Sequence, residues 1–211
     1  MDNSGFPITA PVITCSRLRM QSDGQGITTL VCFHGCPLRC KWCINPFSFA
    51  PDTGFTRMTA RELYEKIKID ELYFLSTGGG VTFGGGEPLL YPAFLQDFRD
   101  ICGAQWHLCA ETSLSVPLEN VQAAAKCIDF FIIDCKDTNP GIYQRYTGRD
   151  NRQMLENLSK LITRIGPERI LARLPLIPEF NTEDDRQASI ALLKDMGLTK
   201  FDLFSYVIRK K

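Results

Sequence analysis

Three cysteines in one short stretch are the residues of this chain most able to do chemistry. Cys36, Cys40 and Cys43 follow the spacing C-x3-C-x2-C, directly after an apolar run that predicts a strand; we call residues 36–43 the cysteine segment. Iron–sulfur clusters are normally held by cysteine thiolates. Three thiolates can ligate three irons of a cubane cluster, which leaves the fourth iron an open position for a substrate. Open positions are typical of catalytic metal sites.

A structural zinc site is the alternative for this stretch. Cys32 stands four residues before Cys36, and four cysteines would complete a tetrahedral zinc site. Cys32 lies inside the predicted strand, however, where we expect its side chain to point away from a metal held by the loop. The other cysteines are scattered through apolar runs, and we expect them to be small buried side chains. They are Cys15, Cys102, Cys109, Cys127 and Cys135.

A glycine-rich stretch farther along the chain ends in an acid. Gly84-Gly85-Gly86-Glu87 is followed by Pro88 and lacks the Lys-Ser/Thr of a phosphate-binding P-loop. The acidic side chain also argues against a phosphate ligand. Glycines allow the backbone to come close to a small ligand, and a carboxylate suits an ammonium group. We call residues 84–87 the glycine–glutamate segment.

The elements that must position these residues alternate between strand and helix about six times. Residues 1–14 are expected to be a loose or edge segment. The predicted strands are 27–34, a short one near 82, 106–110, 128–133, 169–174 and 201–207, and the predicted helices are 59–69, 92–102, 117–126, 151–165 and 183–196.

This alternation favours an α/β fold with a parallel sheet and right-handed crossovers. The polar and glycine-rich clusters directly follow predicted strands, at the face where (β/α) barrels build their active sites. Six units cannot close an eight-stranded barrel, so we predict a partial (β/α)6 TIM-like barrel that is laterally open. A doubly wound sheet is the alternative, but it would concentrate functional loops at one switch point. Here they follow at least four strands.

Composition limits the classes of function. The 211 residues contain 24 Lys+Arg and 24 Asp+Glu, so no sequence-independent affinity for nucleic acid or anionic membranes is expected. No apolar run reaches the roughly 18 residues that span a bilayer, and residues 1–10 lack the pattern of a secretory signal. We therefore expect one domain over residues 1–211, with its core at about 20–207, in a reducing cytoplasm.

The cysteine segment, with Trp42 before its last cysteine, and the downstream Gly-Gly-Glu resemble the radical S-adenosylmethionine (SAM) superfamily. More narrowly, the chain resembles the glycyl-radical-enzyme activating enzymes, of the pyruvate formate-lyase activase type. The resemblance covers most of residues 20–206. It is carried by residues 23–27, 34–43 and 78–90 and continues in Glu111-Thr112, Asp134-Cys135-Lys136 and Tyr146-Thr147-Gly148.

The resemblance implies a radical SAM type of barrel and a role for each matching residue. Cys36, Cys40 and Cys43 would bind one 4Fe-4S cluster, whose open iron is chelated by S-adenosyl-L-methionine. Lys136 and Arg173 would be the catalytic basic residues and would bind the methionine end of the cofactor. The remaining implied contacts are Trp42 near the adenine, Gly85, Gly86 and Glu87 at the amino group, and a monovalent cation near Glu111, Thr112 and Asp134.

The implied activity is reductive cleavage of SAM, followed by abstraction of a hydrogen atom from a backbone glycine of a partner glycyl radical enzyme. Flavodoxin or ferredoxin would donate the electron. A radical SAM enzyme acting on a small molecule or a ribosomal peptide is the first alternative, and a zinc-stabilised binding module without catalysis is the second. The chain departs from the family pattern at Gln25, at Thr28 and at Val207, where a histidine contacting the adenosine is expected.

Overall fold

The structure of the chain, a computed structural model, describes residues 7–20 and 23–207. The strands are β1 (Thr9–Met20), β2 (Ile27–Phe33), β3 (Thr56–Thr59), β4 (Gly80–Gly85), β5 (His107–Thr112), β6 (Phe130–Asp134), β7 (Ile170–Leu176) and β8 (Phe201–Ser205). The helices are α1 (Ala60–Ile67), α2 (Glu71–Thr77), α3 (Pro92–Cys102), α4 (Leu118–Ala124), α5 (Pro140–Thr147), α6 (Arg152–Ile165) and α7 (Glu183–Asp195).

The eight strands formed by the described residues lie in one sheet, in the order β3-β1-β2-β4-β5-β6-β7-β8. Six of these strands run parallel to one another: β2, β4, β5, β6, β7 and β8. Each connection between two of them contains at least one helix. Within the described residues, β3 and β8 are the two edges and do not pair with each other. The predicted partial, laterally open (β/α)6 barrel is confirmed.

The amino-terminal part of the chain differs from the prediction. Residues 1–6 lie outside the described residues, but from Thr9 onward the chain forms β1, which is neither loose nor at the edge of the sheet. It pairs antiparallel with both β2 and β3. The reason is its pattern: Ala10 and Val12 are buried within a run of β-branched residues, so pairing on both sides covers apolar surface.

The helices follow their local sequence signals closely. Thr59 and Glu62 form the predicted capping box of α1, and α3 has the predicted bounds. Helix α5 was not predicted, although Asn139 caps it and Pro140 occupies its first turn. Strand β7 continues through Pro175, so Arg173 lies within the strand and not after it. None of the helices formed by described residues has the length and apolarity needed to cross a membrane.

An aromatic cluster fixes β2 against β4, the two strands that lead into the predicted site. The rings of Phe33 and Phe83 stack with centroids 5.8 Å apart, and Phe94 and Phe98 meet them edge-on at 5.6 and 5.4 Å. Phe98 in turn lies against the buried Trp106. Because a packed core resists displacement, the ends of β2 and β4 are held at a constant separation.

Candidate active site

A cavity of about 410 Å³ opens at the carboxyl ends of the parallel strands. It collects almost all of the predicted site residues, although they come from distant parts of the chain. Those that line it are Cys36, Cys40, Cys43, Gly85, Gly86, Glu87, Glu111, Thr112, Asp134, Lys136 and Arg173. Trp42 is half-buried and is not among the lining residues.

The cysteine segment has no helix or strand of its own, and backbone hydrogen bonds to other parts of the molecule hold it. Arg39 N–H donates to the carbonyl of Thr147 at 2.8 Å, and Lys41 N–H donates to that of Tyr146 at 3.0 Å. Just before the segment, Gly35 N–H donates to the carbonyl of Ser48 at 2.6 Å. These bonds orient the three thiols toward a common space.

The three thiols are free and partly buried. Burial raises the pKa of Cys36 to about 12, with a further contribution from the negative charge of Glu87. Burial likewise raises the pKa of Cys40 to about 11, against the opposing effect of Lys136, and it also raises the pKa of Cys43. Because metals bind the thiolate form, metal loading would release protons here.

The arrangement of the thiols does not suit a single metal ion. Across residues 7–20 and 23–207, no three histidine, cysteine, aspartate or glutamate side chains converge closely enough to hold one ion. Cys32 lies within β2 and does not line the cavity, so it does not complete a zinc site. Three thiols that share a cavity without converging on one point fit a cluster in which each thiolate takes a different iron.

Unpartnered polar atoms concentrate around these thiols. Among the described residues, five buried side-chain nitrogen or oxygen atoms have no hydrogen-bond partner. Three of them belong to Trp42, Ser48 and Tyr146. Trp42 lies in the cysteine segment, and the carbonyls of the other two accept backbone hydrogen bonds from that segment or from Gly35 just before it. Native proteins leave few buried polar atoms unpaired. The surroundings of the thiols therefore fit a bound group that brings hydrogen-bond acceptors, as the sulfides of a cluster do.

The glycine–glutamate segment approaches the protein's own backbone closely. Gly85 has a φ of +83°, and a Cβ on it would lie 2.7 Å from Cα of Cys32. Gly86 N–H donates to the carbonyl of Phe33 at 2.9 Å, and Glu87 N–H donates to that of Gly35 at 2.7 Å. The absence of side chains lets the end of β4 pack directly on the chain that leads into the cysteine segment.

Glu87 is only 1% exposed, and its carboxylate accepts four hydrogen bonds. One oxygen accepts from Leu89 N–H at 3.2 Å and from the Thr112 hydroxyl at 2.6 Å; the other accepts from the N–H and hydroxyl of Ser113 at 2.9 and 2.7 Å. Burial raises the pKa of Glu87 although these donors oppose the shift. Four donors fill the acceptor sites of a carboxylate, so Glu87 ties the β4 loop to the β5 loop.

The acids and bases of the remaining wall pair with one another. Lys136 has a φ of +29°, a conformation that non-glycine residues seldom adopt and that often marks functional sites. Its Nζ lies 2.9 Å from Oδ2 of Asp134. Burial acts to lower the pKa of Lys136, but Asp134 and the other acidic groups around the ammonium together hold that pKa well above its ordinary value. Arg173 contacts Glu111 at 3.0 Å and Asp202 at 3.1 Å.

Several lining residues were missed from the sequence: Asp23, Ser48, Ser113, Tyr146, Asp202, Phe204 and Tyr206. The last of these bears on the expected adenosine contact. Val207 is 87% exposed and does not line the cavity, whereas Tyr206 lines it and its hydroxyl lies 3.3 Å from Nζ of Lys136. The sequence signal that could have found Tyr206 is the alternation of side chains in an extended chain, which puts positions 204 and 206 on the same side and position 207 on the other.

Comparison with known proteins agrees with this geometry. A family model described as the radical SAM superfamily matches residues 30–193. The (2S)-3-sulfopropanediol dehydratase activating enzyme of Klebsiella oxytoca is 31% identical over 83% of this chain and 74% of that enzyme. The pyruvate formate-lyase-activating enzyme of Clostridium pasteurianum is 32% identical over 87% of this chain and 77% of its own length.

A solved structure supports the fold alone. The crystal structure of QueE from Escherichia coli is 14% identical and matches with a TM-score of 0.54 over 96% of this chain and 98% of QueE. The alternative of a zinc-stabilised module without catalysis is wrong, because the chain matches the radical SAM superfamily and its relatives are named as activating enzymes. The chain belongs to the radical SAM superfamily and, within it, to the glycyl-radical-enzyme activating enzymes.

Proposed function

We propose that this chain, as one radical SAM domain over residues 1–211, generates a radical on a backbone glycine of a partner glycyl radical enzyme. The observation that carries the proposal is a cavity that combines three free thiols with a wall of paired acids and bases. When bound, the 4Fe-4S cluster and SAM supply the electron and the 5′-deoxyadenosyl radical that takes the hydrogen atom.

Cys36, Cys40 and Cys43 would hold the cluster. Because the free thiols have raised pKa values, ligation must drive their deprotonation. Among the described residues no fourth cysteine lines the cavity, so one iron would stay available for SAM.

The ammonium of SAM would lie near Gly85, Gly86 and Glu87. The Glu87 carboxylate already accepts four hydrogen bonds, so its contribution to the ammonium is electrostatic attraction from a buried negative charge. The Gly85 carbonyl accepts a long 3.4 Å bond from the Asn45 amide, and we propose it as a direct acceptor for the ammonium.

Lys136 and Arg173 would attract the carboxylate of SAM. Both already face acids, so the incoming carboxylate would share or displace the contacts to Asp134 and Glu111. The same pairs bear on the monovalent cation proposed near Glu111, Thr112 and Asp134, since such a cation would compete with these two bases for the same oxygens.

A protein substrate suits the open side of the barrel. Ile44, directly after Cys43, lines the cavity and is 80% exposed, so the proposed cluster position lies close to the surface. A flexible glycine loop could enter here. The same proximity would allow a flavodoxin or ferredoxin to donate the electron.

The proposal is tested by anaerobic reconstitution with iron and sulfide, followed by dithionite, SAM and a glycyl radical enzyme encoded beside this chain. We expect 5′-deoxyadenosine and, on the partner, the doublet of a glycyl radical in electron paramagnetic resonance (EPR). Omission of the partner is the control for the doublet. A cluster-loaded sample that makes 5′-deoxyadenosine but leaves every such partner without a doublet would contradict the proposed substrate and favour the small-molecule or peptide alternative.

A further inference from the structure

Two buried hydroxyl groups beside the cysteine segment have no hydrogen-bond partner among the residues that the structure describes. Ser48 is 1% exposed and Tyr146 is 0% exposed, and both residues line the cavity. No hydrogen bond of normal geometry reaches either side-chain oxygen from the described residues, although burial raises the pKa of Tyr146 and the nearby Tyr206 hydroxyl adds to that shift. By contrast, the buried hydroxyl of Tyr143, which does not line the cavity, lies 3.1 Å from that of Ser115.

Both hydroxyls are carried by rigidly placed residues. The Ser48 carbonyl accepts from Gly35 N–H at 2.6 Å, and its own N–H donates to the Asn45 carbonyl at 2.9 Å. The Tyr146 carbonyl accepts from Lys41 N–H at 3.0 Å, and its ring packs edge-on against Phe180 at 5.1 Å. Both residues are therefore fixed beside the cysteine segment by contacts that do not use their hydroxyls.

Leaving a hydroxyl unpaired inside a protein is unfavourable. Two such groups on residues that hold the cysteine segment in place indicate that an acceptor arrives with the bound group. Cluster sulfides and ligating thiolates accept hydrogen bonds, and such bonds are one means by which proteins set the potential of an iron–sulfur cluster.

We propose that the Ser48 and Tyr146 hydroxyls donate hydrogen bonds to sulfur atoms of the cluster held by Cys36, Cys40 and Cys43. The proposal rests on the cluster binding proposed above and adds the residues that tune it. The reduced cluster carries one more negative charge than the oxidised cluster, so these donors stabilise it more. They therefore raise the midpoint potential and make the cluster easier to reduce.

Trp42 lies outside this proposal. Its indole N–H is also unpartnered, but Trp42 does not line the cavity. Removal of the Ser48 or Tyr146 hydroxyl can be compared with removal of a buried hydroxyl outside the cavity, which serves as a matched control. Thr28 has a buried, unpartnered hydroxyl away from the cavity, and Tyr143 has a buried, partnered one.

The test is a redox titration of the anaerobically purified, cluster-loaded protein, followed by EPR. Ser48→Ala and Tyr146→Phe should each shift the midpoint potential to a more negative value, and the double variant should shift it further. Ser48→Thr, which keeps the hydroxyl, should restore the wild-type value. Thr28→Val and Tyr143→Phe should leave it unchanged.

A second readout does not depend on the size of the shift. After exchange into D2O, electron–nuclear double resonance of the reduced cluster should show exchangeable deuterons, with one coupling lost in Ser48→Ala and another in Tyr146→Phe. Unchanged potentials and couplings in both variants would overturn the proposal. That result would leave 5′-deoxyadenosine formation intact, whereas failure of the proposed function would remove the cluster or the glycyl radical itself.

Discussion

The cysteine segment holds three thiols beside two unpartnered hydroxyls, whereas the other wall of the cavity has its charges paired. Lys136 faces Asp134, and Arg173 lies between Glu111 and Asp202. Glu87 has all four acceptor sites filled. On the wall formed by the cysteine segment, two hydroxyls lack hydrogen-bond partners that a bound group would supply. On the opposite wall, the charged side chains have partners within the protein.

This difference separates two tasks. The group that binds the cysteine segment relieves unpaired polar atoms, so its binding gains hydrogen bonds without breaking any in the protein. A ligand at the paired wall must compete with existing ion pairs, and part of its binding free energy is spent on replacing them. We therefore expect substitutions to affect cluster content on the first wall, and stability and SAM affinity on the second.

Removing one thiol should have the largest effect. Cys36→Ala, Cys40→Ala or Cys43→Ala should each lower the iron and sulfide content of reconstituted protein to background and abolish 5′-deoxyadenosine formation, since two thiolates cannot hold the cluster. Iron and sulfide assays check this. Cys102→Ala removes a half-buried thiol outside the cavity and should keep the full content. Equal loss in that control would mean that the cysteines act on folding.

Substitution of Glu87 tests whether its four hydrogen bonds stabilise the protein in the absence of a ligand. Glu87→Ala leaves four buried donors unsatisfied and should destabilise the cluster-free protein by about 3 kcal/mol. Glu87→Gln keeps one oxygen with two donors and should lose about 2 kcal/mol. Urea unfolding followed by circular dichroism measures both. Wild-type stability in Glu87→Ala, together with weaker SAM binding, would show that the acid serves the ligand alone.

Lys136→Met should weaken SAM binding with little change in cluster content. The substitution removes a positive charge and leaves the Asp134 carboxylate to repel the incoming carboxylate. We expect a dissociation constant for SAM about 10- to 100-fold higher, which corresponds to about 1.4–2.8 kcal/mol. Equilibrium binding to reconstituted protein checks this. Lys160→Met, on α6 and outside this cavity, is the matched control.

A paired acid away from the cavity should give the smallest effect. Asp70 accepts hydrogen bonds from Arg17 at 2.6 and 2.8 Å, and the Arg17 hydrogen bond lowers the pKa of that carboxyl. A lowered native pKa adds stability above the unfolded value of about 3.9, and this is lost as pH falls through the native pKa. Asp70→Asn should therefore be less stable at pH 7, with the difference shrinking below pH 4. Urea midpoints at pH 7 and pH 3 test this.

Local patterns predicted much of this architecture. The spacing of Cys36, Cys40 and Cys43, the capping box at Thr59, and the alternation of strand and helix are each written in adjacent residues. Parallel strands then bring their carboxyl ends to one face, which explains why residues as distant as Glu87 and Arg173 line one cavity.

Other features depend on contacts that no local pattern encodes. The role of Gly86 is set by the neighbouring carbonyl of Phe33, and the four donors to Glu87 come partly from the next strand. That the Ser48 hydroxyl has no partner can be recognised only from the three-dimensional structure. Past β8, a shift of one position moves a side chain to the opposite face, which places Tyr206 and not Val207 in the cavity.

The backbone bonds that hold the cysteine segment have a consequence for cluster assembly. Arg39 and Lys41 donate to the carbonyls of Thr147 and Tyr146, and Gly35 donates to that of Ser48, so these bonds join backbone groups and need no metal. The conformational entropy of ordering a loop, about 1–2 kcal/mol per residue, is therefore already expended during folding. A chain that loses its cluster to oxygen would retain an ordered receptor and could be refilled without refolding.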